Sequence, residues 1–492
     1  MSGRISQPEL ESYLWGAATL LRGTIDAGEY KNFIFPLLFL KRLSDVHAEE
    51  TAQALDDSDG DVDYAEMPEQ HRFQIPKQSR WEHLRATSTN VGKAIQQAMR
   101  GIERDNPRLY GVFGDAPWTN KDRLPDSTLR DLVEHFSGLT LSIANVPEDE
   151  LGVAYEYLIK RFADDSGHTA AEFYTNRTLV HLMTRMLDIK PGESVYDPTC
   201  GSGGMLVSAA VELRRQGKEH RTLKLFGQER NLTTSAIARM NLFLHGIENF
   251  EVVRGDTLAA PAFLDGDRLR RFDVILANPP YSISKWDRKA FTSDQWGRNL
   301  YGTPPQGRAD YTFWQHIIAS MDPKAGRSAA LWPHGVLFRD EEAEMRRKML
   351  DADVIEAVIG LGPNLFYNSP MEACIVICRS RKPKERQGKI LFIDAIDQVT
   401  RERAQSFLTE AHISRIAGAY DSFGDEPGFA TVATLDQITA HDGSLSIPLY
   451  VTRNNGERSS GTVEQAISDW RQSSDAVRAS ADELLALLER VR

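Results

Sequence analysis

With 492 residues, 41% hydrophobic and 26% charged, the chain has the composition of a soluble globular protein too long for one core, so two or three folding units are expected. A net charge of -12 excludes a protein that grips duplex DNA unaided, because neutralising phosphates takes clustered Lys and Arg; if this chain works on DNA, another polypeptide holds it. No run of about twenty apolar residues offers a membrane span, the N-terminus lacks an apolar signal core, and three cysteines suit neither a disulfide framework nor a four-ligand zinc site, so the expected location is the cytosol with reduced thiols and no metal.

From Glu9 to Val46 apolar residues recur at helical spacing, interrupted by Gly28 and Pro36, which predicts two or more helices. Between Asp45 and Glu69 there are ten carboxylates and no Lys or Arg, the pattern of a solvated, partly mobile loop. Further helical segments run to about residue 146, with turns at Pro107, Pro117 and Pro125. Residues 1–146 thus read as an all-helical domain without catalytic residues, structural or docking in role.

From Leu151 strands and helices alternate. A helix, an AEFYTN turn and a second helix precede strands at 193–197, 224–229 and 251–256, and the run FDVILAN closes the set at Asn278. Later strands are RSAALWP, DVIEAVIGL, ACIVICRS and KILFIDA. Strands spaced by helices predict an α/β fold, a doubly wound, mostly parallel sheet, here over residues 147–455. Residues 456–492 read as a separate coiled-coil-like helix. Val463, Ile467, Trp470, Ser474, Val477, Ala481, Leu484, Leu488 and Val491 alternate steps of four and three, and all but Ser474 are apolar. Such a seam asks for a partner helix, in another subunit or in its own chain.

Two motifs carry the chemistry. Asp197 to Gly204, DPTCGSGG, sits where a strand gives way to a helix, and Gly201, Ser202, Gly203 and Gly204 let the backbone turn tightly against a ligand. A dinucleotide fingerprint fails on spacing, because its third glycine would fall on Leu206. Glu229 ends the next strand, where a carboxylate can take both hydroxyls of a ribose, and Asp256 ends the one after, where it can accept from an adenine amino group. The second motif is Asn278-Pro279-Pro280-Tyr281. Two prolines cannot continue a ladder, so an amide, two rigid carbonyls and an aromatic ring are fixed at a strand's carboxyl end, where open α/β sheets bind ligands. If the first strand and the Asn278 strand are neighbours, the sheet order reverses between them and the two motifs face one crevice.

This constellation resembles the S-adenosylmethionine-dependent amino-group methyltransferases, specifically the N6-adenine DNA class. The N-terminal PLLFLKRLSD, then AEFYTN, DPTCGSGG, NPPY, ADYTFWQHII, LWPHGVLFR, NLFYNSPMEACI and SIPLYV together resemble the methylation subunit of type I restriction-modification systems across nearly the whole chain. It departs at Asn176, where the family often has Pro, at Tyr281, where Phe is usual, and at Met371-Glu372, which replaces a more apolar pair. The resemblance implies a methyltransferase fold and S-adenosylmethionine held by Glu172, Phe173, Tyr174, Thr175, Asn176, Arg177 and the acidic and glycine positions above. It implies catalysis by Asn278 and Pro279 as acceptors for the two N6 hydrogens, with Pro280 in the same rigid turn and Tyr281 stacking on a flipped adenine. Phe366 or Tyr367 would form the other wall of the base pocket. The implied partners are double-stranded DNA, a specificity subunit shared by two methylation chains, and a restriction or motor subunit where one is present.

After NPPY runs a loop carrying Lys285, Arg288, Lys289, Arg298 and Arg308 among Trp286, Phe291, Trp296 and Tyr301. On an acidic protein this reads as a phosphate-contacting, base-stacking flap, against an ordinary surface loop. The alternatives for the whole chain are a stand-alone methyltransferase of protein glutamine or RNA guanine, whose NPPY also serves amide and amino substrates, and an assembly protein with a vestigial site.

Overall fold

The computed structural model describes residues 5–165, 175–365, 372–401 and 406–452. The heptad tail, Glu172 to Tyr174, and Phe366 and Tyr367 lie outside the described residues.

The amino-terminal third is helical: α1 (Gln7–Leu21), α2 (Lys31–Asp57), α3 (Val91–Asp105), α4 (Asp126–Ser137) and α5 (Glu148–Asp165), with shorter turns between. The start of α1 is set by a capping box, Ser6 against Glu9. Pro36 does not interrupt α2, contrary to expectation. Phe33 to Leu40 are buried all round, and that apolar burial offsets the roughly 3 kcal/mol a mid-helix proline costs.

The first part of the acidic stretch is likewise not a loop. Asp45 to Asp57 belong to α2, where the first carboxylates are committed, while the seven from Asp56 to Glu69 are exposed, as the sequence suggests. Asp45 pairs with Lys41 and accepts from the Leu141 N–H, while Glu49 accepts from the N–H groups of Ile143 and Ala144 at 2.8 and 2.9 Å. Asp45 and Glu49 satisfy backbone donors of a segment almost a hundred residues away, a use that composition does not reveal.

The α/β part carries a nine-stranded sheet: β1 (Ser194–Asp197), β2 (Lys224–Glu229), β3 (Phe250–Arg254), β4 (Val274–Ala277), β5 (Arg327–Pro333), β6 (Ile355–Leu361), β7 (Ala373–Arg379), β8 (Lys389–Ala395) and β9 (Ala430–Thr434). The spatial order is β9-β8-β6-β7-β5-β4-β1-β2-β3. β7 runs antiparallel between β5 and β6, β9 is antiparallel to β8, and the other pairings are parallel. Eight of the nine strands coincide with sequence-predicted ones; β9, an edge strand with a mixed pattern, does not.

Successive strand residues alternate between two cores. Val195, Leu225, Val274, Leu276 and Leu331 pack with α6 (Arg177–Leu187), α7 (Gly204–Arg215) and α11 (Glu410–Ser422). Tyr196, Phe226, Ile275, Ala277 and Trp332 pack on the other face with α9 (Asp310–Ser320) and α10 (Ala343–Asp351). Both faces are covered, so the sheet is doubly wound, the architecture of S-adenosylmethionine-dependent methyltransferases.

The helical core reaches further than expected. α5, read from sequence as the first helix of the α/β part, buries Leu151, Tyr155, Leu158 and Phe162 among the N-terminal helices. α8 (Leu232–Leu244) faces both ways: Ala238 and Leu242 join the sheet-side core, and Ile237, Met240 and Leu244 the helical one. One helix shared by two cores ties the bundle to the β2 and β3 side of the sheet. All three cysteines are free and buried, with Cys374 and Cys378 on β7 as expected.

Candidate active site

β1 pairs in parallel with β2 on one side and β4 on the other, with Val195 opposite Val274 and Tyr196 opposite Ile275. The chain runs outward from β1 through β2 to β3, then returns to place β4 on β1's other flank. That reversal is the switch point, and both motifs leave the sheet beside it. Asp197, Glu229 and Asn278 therefore stand at the carboxyl ends of three adjacent strands.

The glycine turn has the form its sequence demands. Gly201 and Gly203 lie at φ +52° and +78°, in the left-handed region, and Gly203 N-caps α7. A Cβ on Gly204 would fall 2.0 Å from the Arg177 guanidinium, so that side chain lies directly over the turn. Arg177 pairs with Glu156 of α5, which brings the helical bundle to the edge of the site.

Glu229 faces the turn from β2. Its Oε2 accepts from the Gly201 N–H at 3.1 Å and its Oε1 from the Asn231 N–H at 2.7 Å. Asp197 is buried at the end of β1, where Oδ1 accepts from the Thr199 N–H at 3.0 Å. Burial pushes its carboxyl up to about 8; the Thr199 bond opposes the rise and the Glu229 charge adds to it. Burial also raises the Cys200 thiol, which makes it an inert packing group.

The sign of the Asp197 shift gives a testable consequence. An acid whose folded pKa is about 8 against an ordinary 3.8 is protonated in the fold but ionised in the unfolded chain between those values. Its contribution to stability is full below pH 4 and lost as pH rises through 8. The ligand-free protein should therefore lose thermal stability from pH 6 to 8.5 more steeply than Asp197→Asn, whose amide mimics the neutral acid; parallel melting profiles would refute the assignment.

On the opposite lip, Asn278 Nδ2 donates to Thr175 Oγ1 at 3.0 Å, and the Tyr281 hydroxyl donates to Asn278 Oδ1 at 2.9 Å. The amide is thus held at both ends, with one lone pair of Oδ1 left for an incoming donor. Burial raises the Tyr281 pKa, so the hydroxyl stays a donor at neutral pH. A cleft of about 860 Å³ joins the two lips; Glu229, Asp256, Asn278, Pro279, Pro280 and Tyr281 all line it. Thr175, Arg177, Asp197, Gly201, Ser202, Gly204 and Asn278 together line a smaller recess.

Other sequence-predicted residues fall differently. Asp256 lies two residues beyond the end of β3; its Oδ1 accepts from the N–H groups of Leu258 and Ala259 while the side chain still faces the cleft. Asn176 is a helix cap rather than a ligand contact. Its oxygen accepts from the Thr178 N–H, its nitrogen donates to the Ser406 carbonyl, and both ends of the amide are committed.

The flap reading is corrected in part. Arg298 is 1% exposed, bidentate to Asp294 and donating to the carbonyls of Thr257 and Leu258. It cannot meet a phosphate. Phe291 is buried, Trp296 lies under Arg298, and Trp286 Nε1 donates to the Gln306 carbonyl, so the aromatics chiefly pack a folded excursion. Lys285 and Lys289 are exposed, Lys285 lining the cleft; Arg288 is exposed but donates to the Pro304 carbonyl.

Comparison with known proteins agrees with this arrangement. The family described as N-6 DNA Methylase matches residues 146–459, more than half of the chain, and the HsdM N-terminal domain matches residues 10–136. The type I restriction enzyme MjaIX methylase subunit of Methanocaldococcus jannaschii is 30% identical over 90% of this chain and 84% of its own. The chain belongs to the N-6 DNA methylases of type I restriction enzymes.

The HindI methylase subunit of Haemophilus influenzae is also 30% identical to this methylase, over 80% of the chain and 90% of its own length. Among solved structures, the type I restriction-modification methyltransferase subunit of Streptococcus thermophilus superposes with a TM-score of 0.80 at 30% identity, covering 91% of this chain and 100% of that one. The methylase is an adenine-specific DNA methyltransferase. No helix among its described residues is long and apolar enough to cross a membrane, and no cluster there could hold a metal ion.

Proposed function

We propose that this methylase transfers a methyl group from S-adenosylmethionine to adenine N6 in duplex DNA, as the modification subunit of a type I complex whose target sequence is chosen by a separate specificity subunit. The observation that carries it is Asn278 shared between two openings beside the switch point, a cleft that Glu229 lines and a recess that the glycine turn lines.

The residues present fit the cofactor. The cleft lies within the usual size range of a small-molecule site. Glu229 at its strand end suits vicinal hydroxyls, Asp256 an exocyclic amine, and the backbone of Gly201 to Gly204 a close approach. Asp197, a neutral acid when nothing cationic is near, regains its charge beside a cationic ligand. S-adenosylmethionine, when bound, supplies the electrophilic methyl.

The protein's part is alignment. Adenine N6 is a weak nucleophile because its lone pair is delocalised into the ring. Asn278 Oδ1 and the Pro279 carbonyl accept its two hydrogens, localise the pair and hold it toward the methyl, without a base of unusual pKa. Extracting the target from the duplex costs a few kcal/mol. Stacking on Tyr281 returns about 1–3 kcal/mol.

Glu229→Ala is expected to weaken cofactor binding about 30-fold by calorimetry, since hydrogen bonds to a charged group contribute about 1.5–3 kcal/mol. Glu229→Gln should fall between. Unchanged affinity in Glu229→Ala would place the cofactor elsewhere.

The charge of -12 is the reason for a partner. The isolated chain should bind cofactor but methylate cognate DNA at least tenfold more slowly than after a specificity subunit is added. Efficient, site-specific methylation by the lone chain would overturn that part. Equal transfer to RNA or to a protein glutamine would favour the stand-alone reading.

A further inference from the structure

Directly after the catalytic tetrapeptide, Ser282 sits at φ +53°, in the left-handed region that a non-glycine residue occupies only when something holds it there. What holds it is Asp310. The Ser282 N–H donates to Asp310 Oδ1 at 2.7 Å, and Asp310 Oδ2 accepts from Arg339 Nη1 at 2.8 Å. Asp310 is wholly buried, at the first position of α9, and Arg339 arrives from the loop that follows β5. Arg339 is itself confined: its Nη1 also faces Glu342 at 3.4 Å, its carbonyl accepts from Arg346, and a Cβ on Gly335 would fall 2.4 Å from its Nε.

ADYTFWQHII gives the cleft one wall residue, Phe313, and neither it nor LWPHGVLFR has a part in the acceptor geometry described above, yet a charged residue of the first meets the Ser282 amide and one of the second backs it. We propose that Asp310 and Arg339 form a positioning clamp that sets the angle at which Asn278 and Pro279 present their acceptors to the target amine. The inference rests on the methyl-transfer reading of the cleft.

The lever is short and stiff. Pro279 and Pro280 have fixed φ, and the Tyr281 hydroxyl is tied back to Asn278 Oδ1, so the four residues turn as one piece between the end of β4 and Ser282. Its β4 end is anchored by the ladder. Its other end is anchored through the Ser282 amide. Freeing that amide lets the Ser282 backbone relax out of its left-handed conformation and swings the Pro279 carbonyl and the Tyr281 ring together. A shift of about 1 Å in reacting geometry is enough for a hundredfold loss of rate. The glycine turn and Glu229, on the far lip, do not contact the clamp and should be untouched.

The test uses the full chain assembled with its specificity subunit on cognate duplex, in single turnover at saturating DNA and cofactor. Asp310→Ala should slow methyl transfer about 100-fold while cofactor affinity stays within threefold. Asp310→Asn keeps an acceptor for the Ser282 amide and should retain more than a tenth of the native rate. Arg339→Gln, which leaves Asp310 in place but unpaired, should lie between. Asp310→Ala within threefold of the native rate, or cofactor affinity falling in step with rate across the series, would overturn the clamp. If Asp310→Ala does not fold, Asp310→Asn and Arg339→Gln decide by the same split between rate and affinity. An inactive native complex would instead reject the methyl-transfer reading.

Discussion

Replacing Asn278 by Ala is expected to lower methyl transfer about 100- to 1000-fold, with cofactor affinity changed no more than a few-fold. The size follows from the position of the amide. Asn278 leaves β4 beside β1, its Nδ2 is held by Thr175 Oγ1 and its Oδ1 by the Tyr281 hydroxyl, so the acceptor is oriented before any substrate arrives. A preorganised partner of this kind is worth roughly 2.7–4 kcal/mol when removed. Single-turnover kinetics of the assembled enzyme, with calorimetric cofactor binding in parallel, separates the two quantities. An equal loss of both would make Asn278 a structural residue of the cleft wall. Asn278→Asp tests the donor end: a carboxylate keeps the acceptor but cannot donate to Thr175, so its rate should recover only in part.

The second large effect is on stability. Arg298→Met should lower the unfolding free energy by about 3–5 kcal/mol, the range seen when one partner of a buried ion pair is removed. Asp294, whose side chain is 1% exposed, would be left charged and unpaired, and the carbonyls of Thr257 and Leu258 would lose their donor. Thermal and denaturant unfolding of the isolated chain measure it without DNA. Lys289→Ala, an exposed neighbour on the same excursion, should leave stability unchanged. If the two variants unfold alike, Arg298 does not anchor the excursion to the loop after β3.

Arg298 also marks where reading residues from composition stops. A basic residue among aromatics beside an active site has the profile of a phosphate contact, and nothing in the spacing separates Arg298 from Lys289. The difference is that the turn after Thr292 brings Asp294 onto Arg298 and two carbonyls from residues 257 and 258 close over it, a meeting produced by the return of the chain from β3. The acidic run from Asp45 is the same case. Asp45 and Glu49 at its start look solvated until residues 141–144 supply the N–H groups they accept from. Pro36 is a third: the helix-breaking cost is local and visible, whereas the burial of Phe33 to Leu40 that outweighs it is tertiary.

What the sequence by itself determined was everything governed by short-range chemistry. Short runs of β-forming residues between helical segments set the strands from β1 to β8, glycines at 201 and 203 set the turn that needs positive φ, and Pro279 and Pro280 ended β4 at Asn278. The pairing of DPTCGSGG with NPPY named the chemistry because each motif carries its own backbone constraint. Only the tertiary structure decided which charges are free and which are spent. Asn176 became a cap, Arg298 a buried anchor, and Asp310, paired with Arg339, met the Ser282 amide. The reason is physical: backbone conformation is fixed by neighbours in the chain, whereas the state of a charged side chain is fixed by what surrounds it in space, and those surroundings come from segments far apart in sequence.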